Sequence, residues 1–328
     1  MVMAHLLASR QVASKPFISL QFSGRQKIAP IALLGIVGLF GPACPGPGGA
    51  TDETAIKKSN TRLELAKDFL GKRQLEAAET EASKALGFYP GNAEAHHVLG
   101  SIEFVRGLAA FHLLEIDDCM TGVDAEALRT EKDLHLNSAL QHFARANELD
   151  PEYGESWASR GAVAALLGQY DRAVEYLTRA LGLPARLDNI ALVRANLGWA
   201  YFHQNRLVLA AKELLQASQF QPGMCVATYR LGRVYFARKE WEKALQKFRD
   251  VAGQKECPIQ EAHFYLMKTI TTMGMAEGQA DALRDAEQAC VALAPDSCVA
   301  RQCRTLLDSG PGSSSSFLLH RLLGNRDG

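Results

Sequence analysis

The sequence predicts an all-α fold: a right-handed superhelix of about six helix-turn-helix repeats. One pattern of small, aromatic and proline positions recurs at a spacing of about 34 residues. Three successive copies are in register, which favours a tandem array over two separate globular domains.

The three clearest copies define the repeat. The fourth contains Leu197, Gly198, Tyr201, Ala210, Ala217 and Pro222. The fifth contains Leu231, Gly232, Tyr235, Ala244 and Phe248, and the third contains Trp157, Gly161, Gly168, Tyr170, Ala173 and Ala180. This is the tetratricopeptide-repeat (TPR) signature, which predicts a TPR solenoid over residues 59–308.

The outer repeats are less regular. The first contains Leu65, Ala66, Phe69, Ala78, Ala85 and Pro90. The second is too long for one repeat, which predicts an insertion at about 104–133 between its two helices. A degenerate sixth repeat should be followed by a capping helix at about 296–308, with Asp296 or Ser297 as its N-cap. Residues 309–328 are expected to form a disordered tail.

The spacing has a steric basis, since Gly and Ala allow two helices to approach closely while larger side chains fill the gaps. Trp157, Tyr201, Tyr235 and Phe248 are therefore expected in the core. The first helices should line a concave groove, because each hairpin leaves an apolar face for the next hairpin to cover.

The TPR register predicts which side chains face that groove. The candidates are Leu192, Trp199, Phe202, Tyr229, Arg233 and Phe236. An aromatic groove of this kind suits an extended or helical apolar segment of a partner protein. The alternative is that superhelical packing or the insertion covers these side chains. Asn196 and Arg233 are isolated, which disfavours the terminal-carboxylate recognition of chaperone-binding TPR modules.

The N-terminus has the pattern of an export signal. A basic stretch without acidic residues precedes the apolar run at 28–40, which predicts a signal peptide over residues 1–43. The run is too short to span a bilayer. Gly41, Pro42 and Ala43 lead into Cys44, a lipobox-like arrangement in which Cys44 becomes diacylated; an ordinary cleavage near Ala43 is the alternative. Residues 44–58 are expected to be a flexible tether, and the long basic region also fits a true start downstream of Met1.

The remaining cysteines lack the C-x2-C spacing of a zinc ribbon. Cys225 and Cys257 each precede a first helix, so a disulfide between repeats five and six is expected in an oxidising compartment. Cys290 is expected to pair with either Cys298 or Cys303. His96 and His97 point to different helix faces, which makes them a poor metal site, and both are expected at the surface.

Composition narrows the function classes. Lys plus Arg equals Asp plus Glu at 36 each, so no net positive charge directs the chain to nucleic acid. An active site in the insertion would use His112, Glu115, Asp117, Asp118 and Cys119, but such acidic runs are usually solvated loops and no catalytic or phosphate-binding motif accompanies them. We expect no enzymatic activity, metal, cofactor or small-molecule substrate.

The chain resembles the TPR pilotin lipoproteins of type IV pilus systems, in particular the Tgl type of myxobacterial social motility. The resemblance covers about residues 44–305 and includes the stretches 118–129 and 257–263 beyond the general TPR pattern. It implies a lipid-anchored protein on the periplasmic face of the outer membrane that binds a secretin subunit and promotes secretin assembly. The alternative is a periplasmic TPR scaffold for cell-envelope or peptidoglycan enzymes.

Overall fold

The computed structural model describes residues 50–116, 123–274 and 279–308, and those residues form thirteen α-helices and one short 3-10 helix. No strand occurs in these ranges. The helices are α1 (Ala50–Gly71), α2 (Leu75–Phe88), α3 (Ala93–Ile116), α4 (Val123–Leu149), α5 (Gly154–Leu166), α6 (Tyr170–Leu181), α7 (Ile190–His203), α8 (Leu207–Phe220), α9 (Cys225–Ala237), α10 (Trp241–Ala252), α11 (Gln260–Met273), α12 (Gln279–Leu293) and α13 (Cys298–Asp308). The 3-10 helix is Pro184–Arg186.

Consecutive helices pair because a glycine of the first helix allows a large side chain of the second to approach. Gly232 of α9 lies against the buried Phe248 of α10, and a Cβ at Gly232 would be 2.6 Å from that ring. Gly198 lies in the same way against Leu214, where a Cβ would be 2.7 Å away. Any larger residue at these places would push the paired helices apart.

The turns inside the first, third, fourth and fifth repeats each contain a residue with positive φ. Arg73, Gly168, Asn205 and Lys239 all have positive φ, between 58° and 71°, directly after the first helix of their repeat. Around Lys239, the N–H of Glu240 donates to the Tyr235 carbonyl (2.9 Å), and the Lys239 N–H donates to the Phe236 carbonyl (3.0 Å). This pair of bonds is a Schellman motif, which satisfies carbonyls that the helix leaves without an internal partner.

In the second repeat, the region expected to be an insertion at about 104–133 is largely helical. Helix α3 has 24 residues and α4 has 27, about twice the length of α5 and α6 in the third repeat. The additional residues therefore lengthen both helices, leaving only residues 117–122 between them. Gly107 packs against Leu136 in this lengthened part, where a Cβ would be 2.7 Å from the Leu136 side chain.

Helix α1 also starts earlier than the sequence predicted. The expected tether at 44–58 overlaps its first two turns, since the helix begins at Ala50. The side chain of Ser59 is fully buried on this helix and accepts a 2.9 Å hydrogen bond from the Asn92 amide. Residues from 50 onward thus belong to the helical array.

The described residues divide into two compact units. One contains residues 50–111 and 129–193; its core includes Leu63, Ala82 and Ile102. The other contains residues 112–116, 123–128, 194–274 and 279–308; its core includes Phe248, Met267 and Cys290. Within the described ranges, no helix is both long and apolar enough to cross a membrane.

A short helix, α13, ends the described part of the chain. Helix α13 packs against α11 and α12. Its N-cap is Ser297, one of the two predicted residues, whose hydroxyl accepts a 3.0 Å hydrogen bond from the Ala300 N–H. The same hydroxyl donates to the side-chain oxygen of Gln260 (2.8 Å), which ties the cap to α11.

Candidate functional site

The structure places the six predicted groove residues in different environments. Leu192 is half-buried in the first turn of α7, where its N–H donates to Asn189, and it belongs to the first compact unit. The other five belong to the second unit. Trp199, Phe202 and Arg233 are partly exposed. Phe236 is partly buried against the rings of Trp241 and Tyr265, at 5.1 and 5.5 Å between centroids.

Tyr229 differs most from the expectation. Only 9% of its surface is exposed, and its ring packs on the core residue Phe248. Position five of α9 therefore faces inward, because the neighbouring helix α11 covers it. Burial raises the pKa of the Tyr229 phenol well above its usual value.

The Arg233 guanidinium contacts three of the four predicted aromatic residues, and also Tyr265, which the sequence did not single out. The Arg233 guanidinium lies 4.0 Å from the ring centroid of Tyr265, 5.5 Å from that of Trp199 and 5.6 Å from that of Phe202. It also donates a 2.8 Å hydrogen bond to the Tyr229 hydroxyl. Cation–π contacts of this kind contribute about 0.5–2 kcal/mol each, and more when water is excluded.

A second arginine, which the sequence did not single out, lies on the same helix. The Arg230 guanidinium is 5.3 Å from the centroid of the Trp199 ring. It donates to the Ala195 carbonyl (3.0 Å) and to the Asn196 side chain (2.9 Å), both on α7. Burial lowers the pKa of Arg230 to about 10. Its spacing of three residues from Arg233 was the available signal, since such residues share a helix face.

We call this group the arginine–aromatic cluster. Its members, on α7, α9 and α11, are Trp199, Phe202, Tyr229, Arg230, Arg233 and Tyr265.

The electrostatics of the arginine–aromatic cluster are positive. In the described ranges, neither Arg230 nor Arg233 lies within ion-pair distance of a carboxylate. Burial first, and then the charges of Arg233 and Arg230, lower the pKa of the neighbouring His203. Lys268 of α11 adds a third cation, 5.7 Å from the Tyr265 ring centroid. A ligand here meets flat apolar rings beside positive charge.

Two solved structures have the same architecture. One is PilW, described as a widely conserved type IV pilus biogenesis factor: it is 19% identical, has a TM-score of 0.56, and the match covers 74% of this chain and 96% of PilW. The other is pilF of Pseudomonas aeruginosa, 14% identical with a TM-score of 0.56, where the match covers 77% of this chain and 99% of pilF. The chain has the TPR fold. By sequence, no protein-family model and no curated protein matches this TPR chain.

The predicted disulfide links the fifth and sixth repeats of this TPR array. Cys225, at the start of α9, is bonded to Cys257, just before α11, with their Cα atoms 5.6 Å apart. Cys290 pairs with Cys303, which decides between the two partners that the sequence allowed. The first bond joins the segments that begin α9 and α11, and these helices carry Arg233 and Tyr265.

His97 is not at the surface as expected. It is only 2% exposed, and its ring forms 3.2 Å hydrogen bonds with the Ser159 and Tyr153 hydroxyls. Burial lowers the pKa of His97 to about 3, so the ring is neutral. Its two nitrogens join α3 to Tyr153 and Ser159 of the third repeat. His96 also departs from the expectation, since it is half-buried with its ring 5.9 Å from that of His142.

Other predicted sites cannot be compared with the structure. Cys44, Asp117, Asp118 and Cys119 lie outside the described residues, as do residues 1–43 and 309–328. His112 and Glu115 are on α3, in a part where only the backbone is described. Among the described side chains, no three His, Cys, Asp or Glu residues are grouped as metal ligands.

Proposed function

We propose that this chain is a non-catalytic assembly factor of the type IV pilus machinery that binds a secretin subunit. The observation that carries the proposal is the fold shared with PilW and Pseudomonas aeruginosa pilF over 96% and 99% of those chains. The TPR array matches nearly their whole length.

The arginine–aromatic cluster is the surface on which we propose that binding occurs. Trp199 and Phe202 stack in parallel with their centroids 4.7 Å apart, and both are partly exposed, so they form one aromatic block at the surface. Aromatic and arginine side chains dominate binding energy at protein interfaces. In this proposal the cluster holds an exposed segment of the secretin subunit until neighbouring subunits replace it in the ring.

The membrane location completes the proposal. An acylated Cys44 would anchor the chain on the periplasmic face of the outer membrane, where secretin rings assemble. Two or more acyl chains give stable anchoring, while one chain gives only marginal binding.

The test is capture from detergent-solubilised envelopes with the tagged full chain, followed by mass spectrometry of the bound proteins and of the bait's N-terminus. Recovery of a secretin with an acylated Cys44 supports the proposal. Recovery of peptidoglycan enzymes in its place favours the scaffold alternative, and an unmodified N-terminus removes the lipid anchor.

A matched pair of variants locates the surface. Trp199→Ala should reduce secretin capture strongly, because it removes the ring that both arginines contact. Val208→Ala, on α8 and 71% exposed, should leave capture unchanged. Equal capture by both variants would place the partner elsewhere on the array.

A further inference from the structure

The arginine–aromatic cluster holds two guanidinium groups beside one indole. Arg230 and Arg233 are one helical turn apart on α9, and their guanidinium carbons lie 5.3 and 5.5 Å from the Trp199 centroid. Both side chains are partly buried. Their hydrogen-bond acceptors in the described residues are neutral: a carbonyl, an amide oxygen and a phenol.

Arg230 and Arg233 are two adjacent cations whose hydrogen-bond partners carry no compensating negative charge. Like charges repel, and neutral acceptors compensate only partly for the hydration that a guanidinium loses on burial. By contrast, the described chain pairs Arg194 of α7 with Glu213 at 2.7 Å and Arg106 of α3 with Glu79 at 2.6 Å.

Glu261 of α11 contributes a negative charge near Tyr229 but forms no ion pair with either guanidinium. With Arg230, Arg233 and Lys268 against this one carboxylate, the arginine–aromatic cluster still has an excess of positive charge that an anionic ligand would balance.

The geometry indicates what kind of anion would fit. A guanidinium presents its N–H groups in a planar fork that matches a carboxylate. The Tyr229 hydroxyl and the Ala195 carbonyl hold the two forks in place, which lowers the entropy lost on binding. The walls are the rings of Trp199, Phe202 and Tyr265, so the atoms next to the carboxylate should be apolar.

We propose that the arginine–aromatic cluster recognises the side-chain carboxylate of an Asp or Glu within a peptide segment of the partner protein, flanked by an aromatic or aliphatic side chain. The carboxylate accepts hydrogen bonds from Arg233 and lies in the field of Arg230. The neighbouring apolar side chain packs on Trp199 and Phe202. This inference rests on the binding surface proposed above and specifies its ligand chemistry.

The experiment uses a random linear peptide library displayed on phage and panned against the purified, oxidised full chain. The most enriched sequence is then synthesised as a fluorescent peptide in two forms, one with its acidic residue and one with Asp→Asn or Glu→Gln. Fluorescence anisotropy compares the two forms on the wild-type chain and on Arg233→Gln. Arg172→Gln, at an exposed position of α6, is the matched control.

The expected result is enrichment of an acidic residue beside an aromatic or aliphatic one. The amide form of the peptide should bind about tenfold more weakly, the loss expected when a charge-assisted hydrogen bond is removed. Arg233→Gln should reduce binding of the acidic form and reduce the difference between the two forms. Arg172→Gln should behave as wild type. The peptide substitution tests the idea even if Arg233→Gln disturbs folding.

Three results would overturn the inference: no enrichment, enriched peptides without an acidic residue, or equal binding of the acidic and amide forms. The proposed function is judged separately by secretin capture. Capture that persists with Arg233→Gln leaves the assembly role intact and removes carboxylate recognition. If peptides bind through their acidic residue but no secretin is captured, carboxylate recognition stands and the proposed assembly role falls.

Discussion

The Tyr229 hydroxyl, buried beneath α11, accepts a 2.8 Å hydrogen bond from the partly exposed Arg233 guanidinium one helical turn along α9. A residue of the core thus fixes the direction of a residue at the surface. The contact links the stability of repeat five to the arrangement of the arginine–aromatic cluster.

Tyr229→Phe should lower the free energy of unfolding by about 1.5–3 kcal/mol, the usual contribution of a hydrogen bond to a charged group, while the ring still fills its place against Phe248. Urea titration of the two purified chains measures the difference. Tyr265→Phe is the control, since the described structure assigns Tyr265 ring contacts rather than a hydroxyl hydrogen bond. Equal losses in both variants would contradict this role of the hydroxyl.

Removing the Cys225–Cys257 bond should cost more than removing the Cys290–Cys303 bond. The sequence separations are 32 and 13, and the entropy of loop closure predicts about 3.7 and about 2.9 kcal/mol respectively. The measurement is urea unfolding of the double variants Cys225→Ala/Cys257→Ala and Cys290→Ala/Cys303→Ala without reductant. The reverse order would mean that native packing, and not chain entropy, decides the effect.

Gly168→Ala should destabilise the chain by about 1–2 kcal/mol, because its φ of 71° is unfavourable for a residue with a Cβ. No neighbouring atom lies within 4 Å of the added Cβ, so the loss is conformational rather than steric. Lys239→Gly, at the equivalent turn with φ of 60°, should have the opposite sign. The measurement is the thermal unfolding midpoint of both variants. Destabilisation by both would argue against the same backbone conformation at the two turns.

His97 should make stability fall in acid. Its pKa is about 3 in the folded chain and near 6.5 when unfolded, so the unfolded state binds the extra proton between these values. The stabilising effect is complete above pH 6.5 and is lost as pH falls toward 3, with a slope of at most about 1.4 kcal/mol per pH unit. Urea titrations of wild type and His97→Gln at pH 7 and pH 5 measure it. Between pH 7 and pH 5, the free energy of unfolding of His97→Gln should fall by less than that of wild type. An equal fall in both chains would exclude His97 as the cause.

Sequence periodicity predicted the fold well, because residues such as Gly198 and Gly232 mark the close helix contacts directly. The prediction failed in the second repeat, because the repeat pattern does not determine how long each helix is. The extra residues of the second repeat continue both helices, and no turn signal distinguishes a long helix pair from an inserted loop. His97 was misplaced because a buried neutral histidine depends on hydroxyls from Tyr153 and Ser159, which are distant in the chain.

The candidate site could be predicted only in part. The TPR register placed Trp199, Phe202 and Arg233 on one surface, and the structure brings them together. Register alone could not show that α11 would cover Tyr229. It also missed Arg230, whose side chain turns toward Ala195 and Asn196 of the preceding repeat.

The bond between Cys225 and Cys257 has a consequence for the arginine–aromatic cluster. It ties the segments that begin the two helices carrying Arg233 and Tyr265, and the facing of these two side chains forms one wall of the cluster. In a reducing compartment that wall depends on packing alone. Oxidation adds a covalent tie near the start of both helices, so it should narrow the range of positions that Arg233 and Tyr265 can take relative to each other.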